Sequence, residues 1–270
     1  QDPDEDAAAY AGRLAAELDA EFRRLGPDTV AAFCAETVVG AAAGCVTAVP
    51  GYFAEVRAVC DRHGALLILD EVMCGMGRTG SLHAWEQEGI APDIQAVAKG
   101  LGGGYAPIGG ILAAGRVVAA LRDGSGGFMH GQTYQAHPVA CAAALEVQRI
   151  VAEDGLVADA ARQGGRLERL LVERFGNHRA VGDIRGRGLF QALEFVADRA
   201  TRTPFDPARG IAEAVKQAAL DRGLGIYPCV GTLDGVRGDH VIVAPPYIVT
   251  DAELTEIVDR LGKAVDAVFA

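Results

Sequence analysis

The chain has 270 residues, half of them hydrophobic and 23 % charged, an ordinary globular balance with room for one large domain or two modest ones. A net charge of −11 argues against a nucleic-acid binder, which needs basic faces, and no apolar run reaches the roughly eighteen residues of a membrane span. The acidic start Gln1-Asp2-Pro3-Asp4-Glu5-Asp6 does not read as a secretory signal. The six cysteines, Cys34, Cys45, Cys60, Cys74, Cys141 and Cys229, are scattered with no C-x-x-C pair. They predict buried, reduced thiols in a cytoplasmic protein rather than disulfides or a zinc site.

Taken in chain order, Tyr10, Leu14, Leu18 and Phe22 recur at helical spacing, and Gly26-Pro27 supplies a stop. Residues 29–36 read as a strand, and Phe53, Val56, Val59 and Cys60 as a helix capped by Gly64. Residues 65–69 are five apolar residues in a row, expected to form a strand buried on both faces that ends at Asp70-Glu71. Strand, helix and strand make a βαβ unit, hence an α/β fold with a parallel sheet covered by helices. Apolar runs at 94–98 and 108–114 extend the sheet, and Pro138 opens a helix running to about Ala152.

The character changes after Asp154-Gly155. A helix over 156–175 leads to a strand at 188–196, a helix over 207–222, short strands near 225–228 and 240–244, and a last helix from Asp251. Helices set apart from a few strands predict a smaller α+β domain over 155–270, following a first domain over 1–154.

Ligands of parallel α/β sheets bind outside the carboxyl ends of the strands. Asp70 ends the strand LLILD, and Lys99 follows QAVA and runs into Gly100-Leu101-Gly102-Gly103-Gly104. A lysine so placed can form an imine with an aldehyde, a carboxylate can keep a pyridinium nitrogen protonated, and the glycines admit a bound group. The same two residues could equally form a surface ion pair beside a loop, and their spacing alone leaves both readings open.

The surrounding blocks are more specific. ALLILDEVMCGMGRTG at 65–80, PDIQAVAKGLGGGYAPIGG at 92–110 and HGQTYQAHPVACAAALEV at 130–147, with AAFCAETVVGAAAGC at 31–45, resemble class III pyridoxal-phosphate-dependent aminotransferases of the omega or amine transaminase kind, nearly end to end. The resemblance implies a fold-type I transferase that uses pyridoxal 5'-phosphate to move an amino group from a small amine or amino acid to a 2-oxo acid. It implies that Lys99 bonds the cofactor aldehyde and shuttles the alpha proton, that Asp70 pairs with the pyridine nitrogen, and that Val72 packs on the ring. It places Thr133 on the cofactor phosphate of a neighbouring subunit, which makes the protein a homodimer with a shared site. Glu36 matches a glutamate near the substrate. For Val72 a core role, for Thr133 a helix cap, and for Glu36 a solvated strand end are the alternatives. Arg78 and Thr79 read as loop-shaping residues.

Three departures qualify the resemblance. Met73 stands where many members have a glutamine that hydrogen-bonds the cofactor. Ile242 stands where members acting on ornithine-like substrates carry an arginine that grips the alpha-carboxylate, which leaves Arg237 as the candidate carboxylate-binding residue against a plain solvated-loop role. Complete members also carry an N-terminal portion with a glycine-serine phosphate loop and a stacking aromatic, which the sequence does not contain. The chain is therefore expected to correspond to the second part of the large cofactor-binding domain (1–154) plus the small domain (155–270). Racemase, aminomutase and decarboxylase chemistry run on the same scaffold and remain alternatives. LLILDE also looks like the acidic strand of a P-loop ATPase, but no G-x-x-x-x-G-K-[ST] precedes it.

Overall fold

Asp6 accepts the Ala9 N–H at 2.8 Å and so caps the first helix, α1 (Ala7–Leu25), which Gly26 ends at φ +97°. The computed structural model describes residues 4–26 and 28–270, so Pro27 of the expected stop and the opening Gln1-Asp2-Pro3 lie outside the described residues. Two compact units are present. The first takes the chain up to Thr37, Ala48–Met76 and His83–Asp154; the second takes Val38–Thr47, Gly77–Leu82 and Gly155–Ala270.

In the first unit, β1 (Ala32–Glu36), β4 (Leu66–Asp70), β5 (Ile94–Val97) and β6 (Gly110–Ala113) form one sheet in that order. The first three strands are parallel and β6 is antiparallel to β5. Helix α2 (Tyr52–His63), closed by Gly64 in the left-handed conformation, lays Phe53, Val56 and Cys60 on Leu67 and Leu69. β4 is not buried on both faces as its apolar run suggested. Leu67 and Leu69 are sealed while Leu66, Ile68 and Asp70 are half-buried, because α2 covers only one face.

At the amino ends of these strands Asp93 accepts the Leu67 N–H at 2.8 Å and the Arg57 guanidinium at 2.7 Å, with Arg116 on its other oxygen. Those donors hold its carboxyl below the ordinary range despite burial. Helix α3 (Gly115–Asp123) and helix α4 (Pro138–Glu153) complete the unit.

In the second unit, β7 (Val181–Arg187), β8 (Phe190–Phe195), β10 (Asp239–Val243) and β9 (Tyr227–Val230) form an antiparallel sheet in that order. Helices α5 (Leu156–Phe175), α6 (Ile211–Leu220) and α7 (Asp251–Val268) pack Leu167, Leu171, Val215, Leu254 and Leu261 into its core. Strand β7 was not foreseen, and the expected strand from Gly188 begins only at Phe190 because Gly188 turns at φ +54°. The helix expected over 207–222 breaks at Gly210, φ +55°, into a 3-10 turn and α6.

Residues 38–47 and 77–82, expected with the first part, instead belong here. Arg185 donates to the carbonyls of Ala43 at 2.6 Å and Gly44 at 2.7 Å, holding the hairpin of β2 (Val38–Val39) and β3 (Val46–Thr47). Arg78 donates to Leu189 O at 3.1 Å and Pro245 O at 2.6 Å and lies 4.6 Å over the Tyr247 ring, a loop clasp as its sequence context suggested. Burial pushes its guanidinium below the usual value. None of the six cysteines is in a disulfide; Cys34 and Cys141 are exposed rather than buried. Among the described residues no helix is long and apolar enough to cross a membrane.

Candidate active site

The site is built on a row of strand ends. β1 and β4 pair in register through Glu36 and Asp70, their last residues, and Asp70 pairs with Ala96 of β5. Three parallel strands therefore finish side by side, carrying Glu36, then Asp70, then, three residues beyond Ala96, Lys99. This is the carboxyl edge at which such sheets bind ligands.

Asp70 is half-buried, and its Oδ1 accepts the Val72 N–H at 2.9 Å. That turn fixes the carboxylate against its own backbone and sets the direction in which the half-buried Val72 leaves the sheet. Among the described residues no other hydrogen bond to the Asp70 carboxylate forms, so Oδ2 keeps its accepting capacity.

Lys99 sits at φ +40°, a left-handed conformation that a non-glycine residue holds only when its surroundings impose it. Helix α4 supplies the constraint: Gln148 Nε2 donates to Gly100 O at 3.1 Å and Leu101 O at 3.0 Å, pinning the turn Lys99–Leu101. Gly102 is required just after it, since a Cβ there would meet Ala106 O at 2.9 Å. The Lys99 side chain is exposed and pairs with no carboxylate among the described residues, so the surface ion pair with Asp70 is not formed.

Thr133 lies in an exposed turn of the first unit and does not cap α4. His137 does that, its Nδ1 accepting the Ala140 N–H at 3.4 Å. Arg237 lies in the second unit on the loop between β9 and β10. There Asp234 Oδ2 accepts its Nε at 2.7 Å, and Asp234 Oδ1 accepts the N–H groups of Val236 and Arg237. These contacts bring the Asp234 carboxyl down to about 2. Ile242 is 2 % exposed in mid-β10, register partner of Ala192 and Tyr227, so that position is core and grips no substrate.

The donor set suits an aldehyde-bearing pyridine: an unpaired amine at Lys99 and an accepting carboxylate oxygen at Asp70. Sequence reasoning passed over Gln148 and Glu71. Glu71 stands beside Asp70 and is wholly buried, which its charged side chain gives no reason to expect.

The family model described as aminotransferase class-III matches residues 2–265. An aminotransferase of Gibberella zeae is 54 % identical over 257 residues, 95 % of this chain and 50 % of its own length. The diaminobutyrate–2-oxoglutarate transaminase of Halomonas elongata is 39 % identical over 96 % of the chain and 54 % of its own. Among solved structures, the pyridoxamine-phosphate-bound form of an aminotransferase from Vibrio fluvialis superposes with a TM-score of 0.90 at 33 % identity, covering 99 % of this chain and 58 % of that one. The chain thus spans about half the length of the curated relatives it matches. Its nearly full-length match to one family, including the blocks around Asp70 and Lys99, removes the P-loop ATPase reading. By that match the chain belongs to the class III aminotransferases, a pyridoxal-phosphate-dependent family.

Proposed function

We propose that the protein to which this chain belongs transfers an amino group from an amine or amino acid to a 2-oxo acid, with Lys99 and Asp70 as its catalytic pair. The observation that carries this is the row of strand ends Glu36, Asp70 and Ala96, with Lys99 held just beyond it at positive φ. Bound pyridoxal phosphate supplies an electron sink for the charge left at the donor's alpha carbon.

The chain's own residues do the rest. Asp70 Oδ2 would hold the ring nitrogen in its protonated form, and Val72 would pack against the ring. Lys99 Nζ takes the donor's alpha proton and returns it to the cofactor side, acting as base and then acid at one atom. Glu36 and Arg237 are the residues proposed to meet the substrate, Arg237 through the forked pairing that guanidinium makes with a carboxylate.

We propose that the first unit contributes to the cofactor-binding domain and the second is the small domain. We also propose that Thr133 serves the cofactor phosphate of a partner subunit in a homodimer. Supporting this are large apolar residues of the first unit left exposed, Tyr105 at 86 %, Met129 at 94 %, Tyr134 at 79 % and Leu145 at 74 %, of the sort that partners cover. Six cysteines without a disulfide fit a reducing, cytoplasmic location.

The test is a half-reaction assay on the full-length protein loaded with pyridoxal phosphate. A panel of amines and omega-amino acids is added without acceptor, and the cofactor's absorbance is followed. At least one donor is expected to shift the band to the pyridoxamine form, and a 2-oxo acid to restore it. A loaded protein that responds to none of the donors contradicts the assignment.

A further inference from the structure

Glu71 follows Asp70 directly and is fully buried, yet the proposed chemistry gives it no task. Its carboxylate accepts four hydrogen bonds, two on each oxygen. Oε1 takes the Thr37 hydroxyl at 2.8 Å and the Trp85 N–H at 2.7 Å; Oε2 takes the Ala84 N–H at 2.8 Å and Gln95 Nε2 at 2.9 Å.

The donors' places in the chain matter. Thr37 is the residue after Glu36, Gln95 lies in β5 four residues before Lys99, and the Glu71 N–H donates to Ala96 O at 3.0 Å. Each of the three strands whose ends carry Glu36, Asp70 and Lys99 is therefore bonded to this one residue. The turn after it closes tightly: a Cβ on Gly75 would stand 2.8 Å from Glu71 O and 2.9 Å from its Cβ.

Three of the four partners are N–H groups that cannot accept, and an ionised carboxylate has lone pairs for all four. Burial pushes the Glu71 carboxyl up, and the hydrogen bonds oppose that rise. Gln95 cannot turn its amide to compensate for a change, because Trp85 Nε1 donates to its Oε1 at 3.0 Å and its Nε2 also meets His83 Nδ1 at 2.9 Å.

We propose that Glu71 is the positioning residue of this site, its buried carboxylate holding the ends of β1, β4 and β5 in the arrangement that aims Asp70 and Lys99 at one bound group. The inference rests on the reading of Asp70 as the partner of the cofactor's ring nitrogen. Glu71→Gln keeps the shape but turns one oxygen into a donor that faces two donors. The Thr37 hydroxyl can rotate to accept, whereas a backbone N–H of Trp85 or Ala84 cannot, and it is left unsatisfied or moves.

The experiment uses the full-length protein and the variants Glu71→Gln, Thr37→Val and Asp70→Ala. Three properties are read: thermal unfolding of the apoprotein, equilibrium binding of pyridoxal phosphate, and the pH midpoint of the bound cofactor's absorbance. Glu71→Gln is expected to fold, to bind the cofactor about tenfold more weakly, the size of one lost hydrogen bond to a charged group, and to shift the pH midpoint. Thr37→Val, which removes one of the carboxylate's four donors and keeps the other three, is expected to move both in the same direction by a smaller factor, about two- to threefold.

Wild-type affinity and midpoint in a folded Glu71→Gln protein overturn the proposal. If that variant does not fold, a Thr37→Val protein with wild-type values overturns it. Asp70→Ala separates the two claims. An unchanged Asp70→Ala contradicts the reading of Asp70, while an altered Asp70→Ala beside wild-type Glu71→Gln and Thr37→Val contradicts the positioning role.

Discussion

Glu36 and Asp70 face each other across the last shared rung of β1 and β4, so two carboxylates leave the sheet side by side. They are expected to divide the work between substrate and cofactor. Asp70→Ala should leave the protein folded and some cofactor bound while lowering turnover by at least about a hundredfold, the scale of losing an aligned proton-transfer partner. Glu36→Gln should leave the cofactor's absorbance unchanged and alter the donor KM instead. Steady-state kinetics beside absorbance spectra check both, and near-normal turnover in Asp70→Ala would remove its assigned role.

Arg237 is held by Asp234, whose carboxyl at about 2 stays ionised throughout any ordinary assay range. Arg237→Ala should raise the KM for 2-oxo acids while sparing a donor amine that has no carboxylate. The pair is half-exposed, so an effect of roughly two- to fivefold is expected, in keeping with surface ion pairs. Equal effects on both substrate kinds would assign Arg237 to the loop alone.

His240 lies fully buried in β10, its Nδ1 2.7 Å from Thr232 Oγ1 and its ring against Gly44, where a Cβ would come within 2.5 Å. Burial, and then the Arg185 guanidinium, push it down to about 4, with the Ala41 carbonyl opposing them. In the unfolded chain histidine titrates near 6.5, so on acidification the unfolded state binds a proton that the folded state refuses. The His240 contribution, roughly 2–3 kcal/mol, should be lost between about pH 6.5 and 4. Denaturant titrations at pH 7 and pH 4.5 on wild type and His240→Leu check this, the variant showing the shallower pH dependence.

Gly164 of α5 crosses the β7–β8 turn so closely that a Cβ would stand 2.3 Å from Gly188 Cα. Both sides of the contact are backbone, so nothing small can move aside. Gly164→Ala should destabilise the protein by about 2 kcal/mol or more, read as a lowered unfolding midpoint, whereas Gly165→Ala, which meets only the tip of Arg169, should not.

Much of the first unit was legible because local signals carry it. Gly26 and Gly64 mark helix ends, and the apolar runs before Asp70 and Lys99 are strands that end where their chemistry begins. What escaped depends on distant partners. Glu71 gathers donors from Thr37 to Gln95, and no spacing rule links those positions. Residues 38–47 and 77–82 join the second unit through Arg185 and Arg78, which bond to backbone carbonyls and leave no trace in the residue types they touch. β7 went unseen because Arg185, Gly186 and Arg187 interrupt any apolar alternation. The substrate side is the least legible part, since Ile242 shows only where a carboxylate is not held.

The central claim is that Lys99 Nζ is the atom that bonds the cofactor. Borohydride reduction of the full-length protein loaded with pyridoxal phosphate, followed by proteolysis and mass spectrometry, reads that bond directly. A phosphopyridoxyl group is expected on the peptide containing Lys99, absent in Lys99→Ala together with the visible absorbance band. A stoichiometric label on another lysine, or a band that survives in Lys99→Ala, would contradict it.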